Sequence, residues 1–377
     1  MRKKAEAVET GSDEIVVKNK TAKKVMGFIF LGITLAMVVV IVVLVLQSLF
    51  KPTYELSEDG QYYIVTDVGD KQKELEIKAE YEGLPVKEIG KEAFKDAASL
   101  EKVVIPEGVT TIGYGAFENC SALKEVSFPS TVTVITENAF KNCDALEEVV
   151  IPDTVTEIES YAFYACDSVK KISIGKGVTY IGREAFAGCV NVEEIYYNPV
   201  DCEAVLIQED ANGKKTYNIR HAFYAVGTKA QSCTLTIGKD VTYISMALFY
   251  DTPLNAFDDE SGLTAIVFEE GSVCKIIGDS AFQAENFVEQ IVLPKTITRI
   301  GEFAFAGCEE LAIFYMGTNA EWSLVIKGNF NKKYSEDKDL DRVKVYFYSE
   351  MDDLTRTDDW HYVDGVPTLW TPAPAEN

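Results

Sequence analysis

The segment "LEKVVIPEGVTTIGYGAFENCSA", residues 100–122, is the first of a series of similar segments that return at a fixed spacing of 23 residues. It is followed without a gap by "LKEVSFPSTVTVITENAFKNCDA" (123–145), "LEEVVIPDTVTEIESYAFYACDS" (146–168) and "VKKISIGKGVTYIGREAFAGCVN" (169–191). A degenerate unit precedes these four, and after a stretched unit at 192–231 the pattern resumes. Self-similarity at a period of about 20–50 residues predicts a repeat architecture.

Within each unit, two short apolar patterns are separated by turn residues. The phrase LxxVxI alternates apolar and polar positions, and VTxI repeats the alternation, so each predicts a short strand with one buried face. Pro or Gly separates the strands, and a frequent Gly after the second Ile permits a turn into xxAF, which we predict as a short helical turn. One unit cannot bury its own apolar edge, but stacked units can. The sequence therefore predicts a β-rich solenoid of stacked, parallel short strands.

The full phrase LxxVxIPxxVTxIGxxAFxxC resembles the BspA-like class of bacterial leucine-rich repeats, which are found in cell-surface proteins. The segment "YELSEDGQYYIVTDVG" (54–69) resembles the N-terminal cap of that family, and the segments at 315–329 and 343–370 resemble its C-terminal cap. Caps are needed because the end coils would otherwise expose an apolar, unpaired edge. The resemblance implies a leucine-rich-repeat solenoid that serves in adhesion to host or matrix proteins or to other cells.

One segment of the chain predicts a membrane anchor. Val25–Phe50 contains 26 residues without a charge, which as a helix at roughly 1.5 Å per residue exceeds the thickness of a hydrocarbon core of about 30 Å. A basic flank precedes it, so the positive-inside rule predicts a cytoplasmic N-terminus and an extracytoplasmic region 51–377. A cleavable signal peptide is the alternative, although its apolar core is usually shorter. We expect a single-pass plasma-membrane protein with the lipid bilayer as one partner.

The predicted organisation of the chain follows from these assignments. It consists of a cytoplasmic tail (1–24), a transmembrane signal anchor (25–50), an N-terminal β cap (51–76), a solenoid (77–315) that is irregular at 192–262, a C-terminal cap (316–370) and a tail (371–377). The chain carries 36 basic and 60 acidic residues, and the excess of acid lies after residue 50. Such a surface repels phosphate backbones, so we predict no nucleic-acid partner.

Two repeated positions predict a structural ladder. The repeat Phe recurs in every unit, as Phe94, Phe117, Phe140, Phe163, Phe186, Phe223, Phe249, Phe282 and Phe305. Three residues further on stand Ala97, Cys120, Cys143, Cys166, Cys189, Val226, Thr252, Glu285 and Cys308. Since Ala and Val occupy the same position, we interpret the cysteine there as a small buried hydrophobe. A disulfide between adjacent coils would also have poor geometry. The side chains of stacked coils point the same way, whereas a disulfide needs a dihedral angle of roughly 90° about its S–S bond.

The remaining cysteines leave alternatives open. Cys202 and Cys233 could pair in an oxidising compartment, or could join His221 in a zinc site, although no C-x2-C spacing is present. The chain has only two histidines and lacks the common motifs of hydrolases, P-loops and dinucleotide sites. We therefore predict that the protein is not an enzyme and binds no cofactor or metal. Asp258 and Asp259 lie in an acidic loop that does not match EF-hand spacing.

Irregular coils are the best candidates for binding, because insertions in repeat arrays map to loops. Candidate partner-binding residues are Tyr180, Tyr196, Tyr243, Asp258 and Asp259, since exposed Tyr is enriched at interfaces. We predict a membrane-anchored surface protein that binds an extracellular protein or glycan. One alternative is an envelope enzyme or metal-dependent hydrolase with its site at 192–262. Another is a sensor ectodomain that needs a signalling partner.

Overall fold

A computed structural model describes most of the chain. The described residues are 37–38, 52–67, 72–202, 205–209, 215–219, 222–250, 263–285, 287–308, 311–328, 344–349, 359–363 and 366–369. Pro52–Asn377 forms one compact unit and Met1–Lys51 another. Among these residues no helix has both the length and the apolar character needed to cross a membrane. The predicted anchor, apart from Met37 and Val38, and the predicted tails at 1–24 and 371–377 lie outside the described residues.

The first strand of each repeat unit joins one ladder of parallel strands. Its three-stranded part contains β3 (Glu74–Glu76), β6 (Lys102–Val104) and β8 (Glu125–Ser127). Its ten-stranded part contains β10 (Glu148–Ile151), β12 (Lys171–Ile174), β14 (Glu194–Tyr197), β17 (Thr234–Ile237), β19 (Ala265–Phe268), β21 (Gln290–Leu293), β23 (Ala312–Tyr315), β25 (Lys344–Tyr348), β26 (Asp359–Val363) and β27 (Val366–Leu369). The pairs are parallel until β26 and β27, which close the sheet as an antiparallel hairpin.

The second strand of each unit forms the other ladder. Its eight-stranded part contains β1 (Thr53–Leu56), β2 (Tyr63–Asp67), β4 (Glu80–Tyr81), β5 (Leu84–Ile89), β7 (Thr111–Ile112), β9 (Val134–Ile135), β11 (Glu157–Ile158) and β13 (Tyr180–Ile181). Its four-stranded part contains β18 (Tyr243–Ile244), β20 (Ile276–Ile277), β22 (Arg299–Ile300) and β24 (Ile326–Lys327). The antiparallel β1–β2 pair leads into this ladder, since β2 pairs in parallel with β5. The predicted stack of parallel short strands is therefore confirmed.

The register of the strands reproduces the period of the sequence. Lys171 pairs with Glu148 on one side and with Glu194 on the other, each 23 residues away. Between β14 and β17 the register continues from Glu194 to Thr234, so an insertion lengthens that coil without breaking the ladder. The inserted residues include β15 (Val205–Glu209) and β16 (Lys215–Ile219), an antiparallel pair that joins no other strand among the described residues.

The segment around the repeat Phe is a string of turns, which differs from the short helix predicted for it. In the unit at 113–120, the N–H groups of Gly115, Phe117 and Asn119 donate to carbonyls of the next coil, at 2.7–3.0 Å. The N–H groups between them bond within their own coil, as Glu118 does to Gly115. Gly115 and Asn119 have φ values of 57° and 63°, and this left-handed conformation prevents a continuous helix. Because every second N–H group of the turns bonds to the next coil, the turns join neighbouring coils in addition to the two ladders of strands.

The core is a column of stacked rings between the two ladders. Phe94, Phe117, Phe140, Phe163 and Phe186 are buried, and neighbouring rings stack with centroids 4.8–5.3 Å apart. The column continues through Phe223, Phe249, Phe282 and Phe305. Helix α1 (Asn319–Leu324) follows, with a capping box between Thr318 and Glu321. Its buried Trp322 packs near Tyr315. The ammonium of Lys327, on the last strand of the second ladder, donates to the Val325 carbonyl at the end of the helix.

Candidate functional site

The outward side chains of the ten-stranded sheet form the candidate binding face. Strand residues alternate between the core and solvent, so each strand contributes two outward positions. One outward column contains Glu148, Lys171, Glu194, Thr234 and Ala265. The other contains Val150, Ser173, Tyr196, Thr236, Val267, Val292, Phe314 and Tyr346. The inward positions on the same strands stay apolar, whereas the outward ones change from coil to coil.

The side chain of Tyr196 is held across this face by a hydrogen bond to a residue 73 positions later in the sequence. Its hydroxyl donates to Glu269 Oε2 at 3.2 Å, and the same oxygen accepts the Lys239 N–H at 2.8 Å. Glu269 directly follows β19, two strands away from β14, so the Tyr196 side chain extends over the intervening strand β17. Partial burial raises the pKa of the Tyr196 hydroxyl, and the Glu269 carboxylate, with Asp240 and Asp153, raises it further.

Beside Tyr196 the face contains an open depression of about 590 Å³. Its lining consists of Lys171, Ser173, Glu194, Ile195, Tyr196, Thr234 and Thr236. The depression exists because consecutive coils place small side chains, Ser173, Thr234 and Thr236, between larger ones. Three strands that are hydrogen bonded on both sides, β12, β14 and β17, form its floor.

The hydroxyl groups in the depression differ from other hydroxyls of the protein. Within the part of the chain that the structure describes, the hydroxyls of Ser173, Thr234 and Thr236 have no hydrogen-bond partner. In the second ladder, by contrast, each Thr that follows a buried Val or Ile of the VTxI or ITxI phrase bonds to the backbone, as Thr156 Oγ1 does to the Thr133 carbonyl at 3.2 Å. The same bond is made by Thr110, Thr133, Thr179, Thr242 and Thr298. The hydroxyls of these threonines are therefore satisfied by the backbone, while the depression hydroxyls remain available.

The charged groups at the depression are balanced and loosely paired. Lys171 Nζ lies 3.9 Å from Glu148 Oε1 and 3.9 Å from Glu194 Oε2. All three side chains are about half exposed, and ion pairs of this kind contribute between about 0 and 1 kcal/mol. The ammonium and carboxylates can therefore turn towards a ligand at little cost.

Comparison with known proteins identifies the repeats. The model of the family described as BspA type Leucine rich repeat region matches residues 87–205 and 275–323, with six copies. The chain belongs to this family. Proteins with such repeats are typically surface proteins involved in interaction. A comparison with curated proteins finds no match.

Solved structures that this BspA-type chain resembles are also leucine-rich-repeat proteins. The T. pallidum leucine-rich-repeat protein is 19% identical over 74% of this chain and 95% of its own, with a TM-score of 0.41. A leucine-rich cell surface protein from Faecalibacterium prausnitzii A2-165 is 23% identical over 72% of this chain and 95% of its own, with a TM-score of 0.29. A leucine-rich-repeat protein from Bacteroides capillosus ATCC 29799 is 31% identical over 28% of this chain and 81% of its own, with a TM-score of 0.26.

The C-terminal part of the face is closed in this BspA-type protein. Val292 lies in the outward column but is only 8% exposed, because it belongs to a second apolar cluster with Phe314 and Trp360. The Phe314 ring stacks on Tyr346 at 5.1 Å and meets Trp360 edge-on at 5.4 Å. Trp360 Nε1 donates to the Tyr315 carbonyl at 3.2 Å. The open part of the face therefore lies on β10 to β19.

The candidate tyrosines do not form one surface. Tyr180, on β13, and Tyr243, on β18, are half-buried residues of the second ladder, whereas Tyr196 lies on the first. Burial raises the pKa of the Tyr243 hydroxyl. Residues 180 and 196 belong to different strands of their coils, so these tyrosines lie on two ladders. Asp258 and Asp259 lie outside the described residues.

The repeated cysteines are buried thiols with a defined hydrogen bond. Each donates from Sγ to the carbonyl of the repeat Phe one coil earlier, as Cys143 does to Phe117 O at 3.2 Å. The same contact occurs for Cys120, Cys166, Cys189 and Cys308. Burial raises the pKa of Cys120 to about 12 and holds the pKa values of Cys143 and Cys166 well above the ordinary range. Such thiols are poor nucleophiles because the thiolate is the reactive form.

Two observations bear on the disulfide and the zinc site that the sequence leaves open for Cys202 and Cys233. Both side chains are buried and neither takes part in a disulfide, so the disulfide considered between them is not formed. No group of three or more His, Cys, Asp and Glu side chains that could hold a metal occurs among the described residues, and His221 lies outside them. Cys202 occupies the column of buried Ile181 and Ile244, because the Thr242 N–H bonds to Val200 O just as the Thr179 N–H bonds to Thr156 O.

Glu285 occupies the position that cysteine holds in most other coils. It is only 4% exposed, and its Oε2 accepts the Leu263 N–H at 3.2 Å. The Val288 N–H donates to the Glu285 carbonyl, as the Leu123 N–H does to Cys120 in a regular coil. The register therefore holds at Glu285, and its carboxylate serves a backbone donor next to the irregular segment.

Proposed function

We propose that this protein is a membrane-anchored surface protein that binds an extracellular protein or glycan through the open face of its ten-stranded sheet. The observation that carries the proposal is the depression beside Tyr196, which is lined mainly by polar residues of three neighbouring strands. An open face of this kind suits the holding of a partner rather than the enclosure of a small substrate. Adhesion to a host surface, to matrix or to other cells is the role that we propose for it.

The anchor and its orientation complete the proposal. The uncharged segment at 25–50 has the length of a transmembrane helix, and the basic residues before it favour a cytoplasmic N-terminus. Residues 51–377 then lie outside, where the net charge of the chain, −24, keeps the ectodomain soluble. The topology is tested by labelling intact cells with a membrane-impermeant amine reagent. Lysines of 51–377 should react while those of 1–24 should react only after lysis, and the reverse pattern would refute the orientation.

The binding role is tested with a matched pair of substitutions. Ser173 and Ser127 both point outward at the same position of their strands, but only Ser173 lines the depression. Cells that display the full chain should bind to immobilised extracellular matrix proteins or to a glycan array. Ser173→Arg, which fills the depression, should abolish that binding, and Ser127→Arg should leave it unchanged. Equal effects of the two substitutions would place the binding site elsewhere.

A further inference from the structure

The depression brings together several polar groups that can bond to a ligand. Ser173, Thr234 and Thr236 each present a hydroxyl that has no partner among the described residues, and each hydroxyl can both donate and accept. Lys171 adds donors, and Glu194 adds acceptors. A ligand that brings several hydroxyls on a rigid frame can bond to all five groups at once, which matches a carbohydrate.

The balance of charge favours a neutral ligand. The lining contains one cation, Lys171, and one anion, Glu194, so a charged ligand that gains from one meets repulsion from the other. The surroundings are acidic, since Glu269, Asp240 and Asp153 all act on the Tyr196 hydroxyl. Anionic glycans are therefore disfavoured by the wider surface.

Tyr196 supplies a fixed aromatic wall for the depression. Because its hydroxyl is bonded to Glu269, the side chain is already ordered before a ligand arrives. A preordered side chain loses little rotamer entropy on binding. Tyr also combines a large apolar surface with a polar tip, which suits the C–H faces and hydroxyls of a sugar.

A peptide fits the depression less well. The strands beneath it are paired on both sides, so no free strand edge is available for a peptide backbone to join. Its only aliphatic lining residue, Ile195, is 1% exposed, so no apolar pocket is available to anchor a peptide side chain.

We infer that the depression formed by Lys171, Ser173, Glu194, Tyr196, Thr234 and Thr236 binds a neutral carbohydrate. This inference rests on the proposed function and names its ligand class. The volume of about 590 Å³ lies within the range of about 300–1,000 Å³ typical of small-molecule sites. Because the depression is open, it accommodates part of a longer neutral glycan that lies along the sheet.

The test uses the full chain in a detergent that has no sugar head group. Isothermal titration calorimetry measures binding of neutral hexasaccharides of glucose, mannose and N-acetylglucosamine, of an anionic oligogalacturonate, and of an Arg-rich peptide. At least one neutral hexasaccharide should bind. Ser173→Ala and Thr234→Val should each weaken that binding by roughly 5-fold, the effect of one lost neutral hydrogen bond. Ser127→Ala, which removes an outward hydroxyl outside the depression, should leave the affinity unchanged.

The outcomes separate this inference from the proposed function. Binding of the peptide or of a matrix protein that is abolished by Ser173→Arg, without binding of neutral sugars, overturns the carbohydrate assignment but supports the face as a binding site. Preferential binding of the anionic oligosaccharide overturns the assignment as well. Neutral-sugar binding that Ser173→Ala and Thr234→Val leave unchanged overturns the depression as the site. If no probe binds and Ser173→Arg has no effect on cells, both proposals fail.

Discussion

Replacing Cys143 by Ala should make the stability of the protein less sensitive to alkaline pH. Cys143 is completely buried, and burial holds its pKa well above the ordinary value of 9.0. In the unfolded chain the same thiol is exposed and ionises near that ordinary value. Above pH 9 the unfolded state therefore loses a proton that the folded state keeps. The stability that this thiol contributes is present below pH 9 and is lost as the pH rises beyond it.

The magnitude follows from the unfolded chain alone. At pH 10 an exposed thiol with a pKa of 9.0 is mostly ionised, which stabilises the unfolded state by about 1.4 kcal/mol, against almost nothing at pH 7. Cys143→Ala lowers stability at every pH, because it removes a buried sulfur and its bond to Phe117 O. Between pH 7 and pH 10, however, the variant should lose about 1.4 kcal/mol less than the parent. Titration of Tyr and Lys cancels in the comparison because both chains share those residues.

The assay is guanidinium unfolding of the full chain at several pH values between 7 and 10, in the presence of a reductant and followed by circular dichroism. Cys143→Ser should show the same reduced pH dependence as Cys143→Ala, since the Ser hydroxyl does not ionise in this range. The control is Val226→Ala, because Val226 is buried in the same position of another coil and has no thiol. That variant should be less stable but keep the parent pH dependence. A Cys143→Ala curve parallel to that of the parent would refute the argument.

Three further predictions are checked by denaturant unfolding at neutral pH. Phe140→Ala should lower the free energy of unfolding by about 3–5 kcal/mol, because the ring is 0% exposed and stacks on the rings of both neighbouring coils. Glu285→Leu should cost about 1–3 kcal/mol because the buried Leu263 N–H loses its acceptor, whereas Glu285→Gln, which keeps an acceptor oxygen, should cost less. Lys170→Ala should change stability by less than about 1 kcal/mol, and 1 M salt should remove the difference, since the Lys170–Glu193 pair at 2.6 Å is half exposed. A salt-independent loss at Lys170 would contradict the last prediction.

The repeat itself could be predicted from the sequence because its determinants are local and recur. The alternation in LxxVxI and VTxI places the strands of the regular coils, and the constant repeat Phe identifies the core column. The turns could not be predicted, because their form depends on the neighbouring coil. Ala165 adopts φ of 54° although it has no intrinsic preference for that region. Its N–H bonds to Ala187 O in the next coil at 2.8 Å, a contact that no pattern within one unit contains.

The site could be predicted only in part. The sequence identified Tyr196 as an exposed residue of an irregular coil, but not its partner Glu269, 73 residues away. That contact depends on how the strands of two coils of unequal length align with each other. The period of the sequence does not predict this alignment, because these coils depart from it. The sequence also could not separate free from bonded hydroxyls. Thr156 and Thr236 are both outward Thr residues, yet only Thr156 lies within reach of a backbone carbonyl.

The adjacent residues Tyr196 and Tyr197 explain why the candidate site and the core constrain each other. Tyr197 is 0% exposed and packs against Phe249 with ring centroids 5.6 Å apart, while Tyr196 points outward into the depression. A shift of the strand by one residue would exchange the two rings, placing a core residue on the surface and removing the wall of the depression. The inserted residues after β14 are accommodated in the hairpin β15–β16 rather than in the strand, and Glu194 still pairs with Thr234. Coil length can therefore vary at this point without moving the depression. The register of the strands is set by the core side chains, and these alternate along each strand with the side chains that line the depression.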